Sequence, residues 1–190
     1  GHTITSDSAL GDAKIQRSLR FNDDDSAYLN RTPSSASNRK TWTWSSWVKR
    51  DQISGGTNRY IFMAGQTDGN DHVAHISFDN NDRLRLYSVT GSFDYKIRSN
   101  SVYRDNSSWY HVVVAFDSTQ STASNRVKMY VNGSQVTSFA DVAYPSQNYD
   151  FEINRNVRQY VGFNAFNYMD GYMANIHQVD GLQLDASAFG

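Results

Sequence analysis

The chain has 190 residues, with 38% hydrophobic, 14% aromatic and 19% charged residues and a formal net charge of -1. The near-neutral charge and the scattered basic residues exclude the basic face that nucleic-acid binding requires. The absence of Cys excludes disulfides and thiol chemistry, and no apolar run is long enough for membrane insertion.

The predicted domain organisation is simple. Residues 1–12 are polar with few apolar anchors, so we expect a flexible lead-in there. Residues 13–190 have the length of a single all-β domain. The first predicted strand covers residues 15–21, where alternation places Ile15, Leu19 and Phe21 on one face.

Clear alternation predicts the next strand at residues 41–49. Trp42, Trp44 and Val48 share one face and are predicted core residues, whereas Trp47 lies on the other face. Trp47 would either stack on a ligand or pack beneath another segment, and we favour packing. Further strands, separated by polar turns, are predicted at residues 60–64, 73–78, 84–89, 93–98, 159–163 and 173–179.

The strongest β signal is the apolar run at residues 109–117, followed after a polar loop by an alternating segment at 127–136. The apolar and β-branched residues of the first segment are typical of a strand covered on both faces. In the second segment, Asn132 and Gly133 both tolerate positive φ, as a type I′ hairpin turn requires. Because no segment has helical periodicity, the sequence predicts an all-β, antiparallel two-sheet β-sandwich or jelly roll.

Five short motifs connect the chain with a known family. They are Ser18-Leu19-Arg20-Phe21 with Ala27-Tyr28-Leu29, Thr43-Trp44-Ser45-Ser46-Trp47-Val48-Lys49, the run from Trp109 to Asp117, Met129-Tyr130-Val131-Asn132-Gly133, and Val161-Gly162 with Gly171-Tyr172-Met173. In this order they resemble the laminin-G-like, concanavalin A-like jelly-roll superfamily, in which the first two segments form an opening strand pair. The resemblance covers nearly the whole chain and implies that fold.

The closing segment, residues 169–190, resembles jelly-roll segments of tailed-phage structural proteins. This resemblance implies a tail or capsid-decoration module of a virion, made in the cytoplasm of the bacterial host. Carbohydrate binding is a common but not universal use of such modules. The resemblance therefore implies surface glycans and other virion proteins as partners, with a homo-oligomer as one option.

Calcium is the one cofactor that the sequence raises. Asp68, Asn70 and Asp71 could supply oxygen ligands from a flexible turn, but these residue types are equally typical of an Asx turn. Many family members have an Asp in a Gly-x-Ile-Asp motif of the last strand, where this chain has Gly171-Tyr172-Met173-Ala174-Asn175. We therefore expect no family-type calcium site in that strand and no required cofactor.

Catalytic signals are missing from the sequence. Glu152 is the only Glu, and no Glu-x-Asp-x-Glu strand of the laminarinase-like kind occurs, so a glycosidase carboxylate pair is not predicted. The five His residues form no zinc-binding pair, and His111, inside a buried-strand signal, is predicted to be framework. We predict a non-enzymatic domain, which could still accompany a catalytic segment of a larger depolymerase.

Two loop segments have the mixture of aromatic and amide side chains that binds sugars. The predicted contact residues are Tyr144, Tyr149, Asn164, Phe166, Asn167 and Tyr168, joined by Asp71 and His72 from the candidate calcium turn. The alternative is that the aromatic rings only cap the edges of the sandwich.

Two functional hypotheses remain open. The first is a virion surface domain that binds host or environmental glycans. The second is a structural decoration or fibre module that makes protein-protein contacts without sugar binding. A monomer with sugar affinity favours the first, whereas trimers or co-purification with another virion protein favour the second.

Overall fold

The structure is a computed structural model that describes residues 15–53, 55–65, 73–89, 93–164 and 167–190. The lead-in predicted at residues 1–12 lies outside these ranges. Within them, no helix is long and apolar enough to cross a membrane. Two short 3₁₀ turns occur, at Ala123–Asn125 and Ala186–Phe189. The strands are β1 Leu19–Phe21, β2 Leu29–Arg31, β3 Thr41–Arg50, β4 Arg59–Ala64, β5 Val73–Phe78, β6 Arg83–Val89, β7 Phe93–Val102, β8 Trp109–Asp117, β9 Val127–Val131, β10 Ser134–Gln135, β11 Phe139–Ala143, β12 Gln159–Val161 and β13 Gly171–Asp180.

The strands form two antiparallel sheets that pack face to face. The six-stranded sheet has the order β1-β13-β3-β8-β9-β10, and the seven-stranded sheet has the order β11-β7-β6-β5-β4-β12-β2. The prediction of an all-β, two-sheet antiparallel sandwich is confirmed.

The core lies between the two sheets. Trp42, Trp44 and Val48 point into it from β3, as the alternation predicted. The Trp42 ring stacks on Phe116 of β8, with ring centroids 5.3 Å apart, and meets the edge of Phe151 at 5.4 Å. Aromatic contacts of this kind fill the interior between the sheets.

The C-terminal segment covers part of the outer face of the six-stranded sheet. Val113 and Tyr130 are buried there with Ala186, and Phe189 packs against them. Thr43 holds the same segment in place, because its hydroxyl donates to the Leu182 carbonyl at 2.7 Å and accepts from the Leu184 N–H at 2.8 Å. Strand β8 is therefore covered on both faces, which explains its continuous apolar sequence.

Trp47 also lies on this outer face, and only 5% of its surface is exposed. It clusters with Ile15 and Ala174. The packing interpretation of Trp47 is therefore confirmed.

The N-terminal strand differs from its prediction. Only Leu19–Phe21 of the predicted strand at 15–21 is β structure, and its side chains do not share one buried face. Phe21 enters the core, Leu19 is 49% exposed, and Ile15 packs on the outer face of the six-stranded sheet. β1 is an edge strand paired only with β13, so its other edge has no strand neighbour in the sheet.

The two opening strands do not pair with each other. β1 joins the six-stranded sheet, whereas β2 pairs with β12 in the seven-stranded sheet. The turn between them therefore connects the two layers. Strand β11 is not predicted by the sequence pattern, because its residues Phe-Ala-Asp-Val-Ala alternate poorly in an edge strand that is only partly buried.

The hairpin prediction at the end of β9 is confirmed. Asn132 and Gly133 have φ values of 50° and 78°, and Ser134 pairs with Val131 across the turn. The Asn132 side-chain oxygen also accepts a hydrogen bond from the His111 backbone N–H at 2.8 Å. The turn is thus anchored to the neighbouring strand β8.

A buried ion pair joins the two sheets. Arg50, at the end of β3, donates through Nη2 to the Asp82 carboxylate at 2.7 Å, and the two side chains are 3% and 5% exposed. Arg50 Nη1 also donates to the Tyr103 carbonyl at 2.5 Å, and its guanidinium lies 4.5 Å from the Phe78 ring centroid. Asp82 accepts a second bond from Arg104 Nε at 3.0 Å.

Gly171 starts β13 at a close approach to β3. Its φ is +143°, and a Cβ at this position would lie 2.1 Å from the Lys49 carbonyl oxygen. Only Gly fits here, because both the φ and the contact exclude a side chain.

Candidate functional site

The predicted contact residues after β11 pack into the sandwich. The Tyr149 ring lies edge-on to Tyr95 at 5.7 Å and to Phe151 at 5.2 Å, and burial raises its pKa to about 12. Tyr144 packs against the same core, and burial raises its pKa too. Both rings are held by framework contacts, and their role as ligand contacts stays a prediction.

The predicted residues after β12 form one turn. The Asn164 side-chain oxygen accepts from the Asn167 backbone N–H at 3.0 Å, and the Asn164 N–H donates to the Asn167 carbonyl at 3.2 Å. Phe163 and Tyr168 then form a β-bridge at the base of this turn. The structure therefore brings three of the predicted contact residues together in one turn: Asn164, Asn167 and Tyr168.

The two groups of predicted residues do not form one site. Tyr144 follows β11, at one edge of the seven-stranded sheet, whereas Asn164 follows β12, next to the opposite edge. Five strand spacings separate β11 from β12, which is about 24 Å. A single small ligand cannot contact both groups.

The remaining predicted residues lie outside the described ranges. They are Asp68, Asn70, Asp71, His72 and Phe166. In the part of the chain that the structure describes, no group of three or more His, Asp or Glu side chains could hold a metal ion. The calcium site at residues 68–71 stays a prediction.

A cluster of four rings surrounds the turn after β12, and we call it the edge aromatic cluster: Tyr28, Tyr160, Phe163 and Tyr168. The Tyr28 ring stacks on Phe163 with centroids 4.8 Å apart and planes 24° apart. Tyr160 and Tyr168 contact it at 6.0 and 6.3 Å. Tyr28 is still 41% exposed, so a rigidly held ring faces solvent.

This cluster continues onto the outer face of the seven-stranded sheet. Tyr160 of β12 is paired with Met63 of β4, and Met63 is paired with His75 of β5. His75 is paired with Tyr87 of β6, and Tyr87 with Lys96 of β7. Directly opposed residues in antiparallel strands point to the same side of the sheet. The row therefore crosses five strands on the outer face.

The burial pattern of strand β6 shows which of its side chains on this face are partly exposed to solvent. Its odd-numbered residues Arg83, Arg85, Tyr87 and Val89 are half-buried, whereas Leu84, Leu86 and Ser88 are fully buried towards the core. Its sequence Arg-Leu-Arg-Leu-Tyr-Ser-Val contains this alternation, so the signal for a shared polar face was present. From the sequence alone, this alternation predicted only a strand.

His75 lies in the middle of the outer face between two tyrosine rings. Its ring stacks on Tyr87 at 4.8 Å and meets Tyr60 edge-on at 4.9 Å. Burial lowers the pKa of His75 well below its usual value, and the positive charge of Arg85 lowers it further. The imidazole is therefore neutral at physiological pH. Its Nε2 is buried and has no hydrogen-bond partner within the described structure.

His111, on the other sheet, has a framework role. Its Nε2 is 2.9 Å from the Ser45 hydroxyl, and its ring stacks on Trp47 at 4.9 Å. Burial, with a smaller effect from His177, lowers the pKa of His111 to about 4. A buried neutral imidazole beneath the C-terminal segment fits the structural interpretation of this residue.

A concave region lies between β10, at the edge of one sheet, and the residues around β7 and β11 of the other sheet. It is a cavity of about 350 Å³, which lies within the size range of small-ligand sites. Polar side chains dominate its lining, including Ser101, Asn132, Gln135 and Ser138. Asn132 is already bonded to β8, and Ser138 accepts from Asn100 Nδ2 at 2.8 Å. Some polar groups of the cavity are thus already hydrogen-bonded to other parts of the protein.

Comparison with solved structures supports the fold. A heptameric SAP-like pentraxin from Limulus polyphemus is 15% identical with a TM-score of 0.61, and the match covers 90% of this chain and 79% of that one. Domain 4 of an extracellular GH43 arabinanase from Geobacillus stearothermophilus, in complex with arabinotriose, is 20% identical with a TM-score of 0.59 over 100% and 80% of the two chains. The enzymatically active domain of bacteriophage CBA120 tailspike protein 2 is 12% identical with a TM-score of 0.58 over 99% and 29%.

Comparison by sequence identifies the family. A search of curated proteins gave no significant match. Residues 22–180, however, match the Laminin_G_3 family model, described as the concanavalin A-like lectin/glucanases superfamily. This range contains twelve of the thirteen strands assigned above, all except β1. The chain therefore belongs to the concanavalin A-like lectin/glucanase superfamily.

Proposed function

We propose that this chain is a non-catalytic glycan-binding domain that holds an oligosaccharide on the outer face of its seven-stranded sheet, at the edge aromatic cluster. The observation that carries this proposal is the Tyr28 ring, which is 41% exposed yet fixed by three other rings. A pre-positioned aromatic face binds the apolar side of a sugar ring without a further loss of side-chain freedom.

Polar groups stand beside this ring. Asn30 is exposed and lies opposite Tyr160 in the β2–β12 pair, so its amide is on the same face. The turn of Asn164 and Asn167 follows directly after the cluster. Amides donate and accept hydrogen bonds at once, which matches the hydroxyl groups of a sugar.

The position of the single Glu is consistent with a binding role without hydrolysis. Glu152, the only Glu, is buried and paired with Arg155 at 2.9 Å, so it is not presented to a sugar. The match to an arabinanase domain in complex with arabinotriose supports this assignment, since that domain binds a glycan and has a similar fold. The family also includes glucanases, so the absence of hydrolysis belongs to the proposal.

A shallow site that centres on one exposed ring, Tyr28, binds weakly and reversibly. Linking several copies raises the overall affinity because each further contact forms at a high effective concentration. We further propose that the domain belongs to a phage virion, on which many copies would act together beside other virion proteins. The tailspike match supports this setting, and the heptameric state of the pentraxin supports a homo-oligomer.

The test is a glycan array with a multimerised form of the chain, with and without calcium, followed by titration of the bound glycan. We expect Tyr28→Ala to weaken binding by roughly tenfold or more, the loss expected for an anchor residue worth more than about 1.4 kcal/mol. Tyr172→Ala is the matched control, because Tyr172 is a half-buried tyrosine of β13 in the other sheet. It should leave the affinity unchanged.

Urea unfolding of each variant separates a binding defect from a folding defect. The proposal is wrong if no glycan binds under either calcium condition, or if folded Tyr28→Ala binds as tightly as the original chain. A defined trimer that binds another virion protein but no glycan would instead establish the structural-module hypothesis.

A further inference from the structure

Among the described residues, the outer face of β5 to β7 and β11 has more cationic than anionic side chains, although the whole chain has a net charge of -1. Four cationic side chains of β6 and β7 lie on this face near two carboxylates, Asp79 after β5 and Asp141 of β11, while Asp94 of β7 accepts from the Ser88 hydroxyl at 3.3 Å. Lys96 and Arg98 are close to Asp141, and Arg98 also contacts Asp79 at 3.1 Å. The other two cations are Arg83 and Arg85 of β6.

Arg83 and Arg85 form no ion pair with any carboxylate in the described ranges, unlike Lys96 and Arg98. Asp79 cannot neutralise them easily, because its carboxylate accepts backbone bonds from Asn81 and Arg83 at 2.8 and 2.9 Å as well as the Arg98 contact. A local excess of positive charge therefore remains on β6. Such an excess attracts anionic ligands.

Arg85 is held in a defined position. Its Nε donates to the Ser77 hydroxyl at 3.2 Å, and its guanidinium lies 5.0 Å from the Tyr87 ring centroid. These contacts fix one edge and one face of the guanidinium. Its two terminal Nη atoms form no protein hydrogen bond in the part of the chain that the structure describes. A guanidinium with its fork open is suited to bidentate binding of a carboxylate.

A second polar group on the same face also lacks a partner. His75 stacks on the Tyr87 ring, and its buried Nε2 makes no hydrogen bond to any described residue. Other buried side-chain atoms of the described residues, such as Arg83 Nε and Gln159 Nε2, also lack a partner, so this nitrogen does not by itself indicate a ligand. The rings of His75 and Tyr87 and the Arg85 guanidinium thus form one stack of planar groups, in which the two Nη atoms of Arg85 remain for a ligand.

We infer that the glycan bound by this face is acidic, and that Arg85 binds the carboxylate of a uronic-acid or sialic-acid unit through its Nη atoms. This inference rests on the proposed function and names the class of sugar. The strand order β6-β5-β4-β12-β2 places the stack about four strand spacings, or about 19 Å, from the edge aromatic cluster. The ligand is therefore an oligosaccharide that reaches from Tyr28 to Arg85.

The experiment compares carboxylated oligosaccharides with their own methyl esters, which differ only in charge. Oligogalacturonate, oligoalginate and sialyllactose are titrated with each ester by calorimetry, and a sulfated galacto-oligosaccharide is added as a separate anionic probe. We expect at least one acid to bind roughly tenfold more tightly than its ester. The preference for the acid should decrease with added salt.

Variants then assign this preference to Arg85. Arg85→Gln should abolish the difference between acid and ester, and Arg85→Lys should retain only part of it because a single ammonium cannot form the fork. Arg20→Gln is the matched control. Arg20 is exposed and lies 5.9 Å from the Tyr172 ring centroid, which places a similar Arg-Tyr pair on the other sheet.

The possible outcomes separate this inference from the proposed function. Equal affinity for every acid and its ester overturns the acidic-glycan inference while the glycan-binding function stands. Binding of the sulfated probe alone overturns the carboxylate assignment. An acid preference that survives in folded Arg85→Gln removes Arg85 from the site. If no probe and no array glycan binds, the proposed function itself fails.

Discussion

The buried Arg50–Asp82 pair gives the sharpest prediction about stability. In Asp82→Asn the side chain keeps its size and tolerates the local φ of 65°, so the main change is loss of the negative charge. Arg50 then remains buried, at 3% exposure, without its anion. Removal of one partner from a buried pair costs about 3–5 kcal/mol. At about 2–4 °C per kcal/mol for a chain of this size, Tm should fall by roughly 6–20 °C.

Urea unfolding followed by tryptophan fluorescence measures this loss, and a double-mutant cycle assigns it to the pair. Arg50→Met combined with Asp82→Asn should cost clearly less than the sum of the two single changes, because the double variant leaves no buried charge unpaired. Asp141→Asn is the control, since the 37% exposed Asp141 forms surface pairs that are worth at most about 1 kcal/mol. A cost below about 1 kcal/mol for Asp82→Asn, or strictly additive effects, would refute the reasoning.

Three further changes test other parts of the fold. Gly171→Ala should lower the free energy of unfolding by at least about 2 kcal/mol, because its Cβ would lie 2.1 Å from the Lys49 carbonyl oxygen. Gly56→Ala has no atom within 4 Å of the new Cβ, so it should cost only the backbone strain of about 1 kcal/mol. Equal losses of stability in urea unfolding would contradict this. Burial lowers the pKa of His111 to about 4 in the folded state, whereas its unfolded value is near 6.5. The stability that His111 contributes is therefore complete above pH 6.5, and at most about 3 kcal/mol of it is lost as the pH falls from 6.5 to 4. His111→Gln should flatten the pH dependence of the urea midpoint over this range, and an unchanged slope would exclude the residue as its source. Asn132→Ala should lower the free energy of unfolding by about 1–2 kcal/mol, through strain at φ 50° and loss of the hydrogen bond from the His111 N–H. An unchanged free energy of unfolding would show that the turn forms without that bond.

The fold could be predicted from the sequence because its strongest signals are local. The alternation in β3 and the Asn132-Gly133 turn follow from backbone geometry alone, and the structure has both as predicted. β1 was harder, because Leu19 looks like a core residue until its place at a sheet edge is known. β11 was missed for a related reason, since an edge strand needs little apolar surface.

The candidate site was predicted only in part. The sequence identified Asn164, Asn167 and Tyr168, since the residues of one turn are adjacent in the chain. It could not join them to Tyr28, which is more than a hundred residues away and reaches the cluster only through the β2–β12 pairing. The stack around Arg85 likewise depends on the register of β5 with β6. Register across strands is set by the whole sheet, and no single segment contains it.

The position of β13 also determines the order in which the chain can fold. β13 lies between β1 and β3 in the six-stranded sheet, yet about 120 residues separate the end of β3 from the start of β13. At a synthesis rate of about 5–20 residues per second, the ribosome makes β13 roughly 6–24 s after β3. During that interval one edge of the tryptophan-rich strand has no partner. The sandwich therefore closes late, through its most distant pairing, and the nascent chain must keep the β3 edge from joining other chains until then.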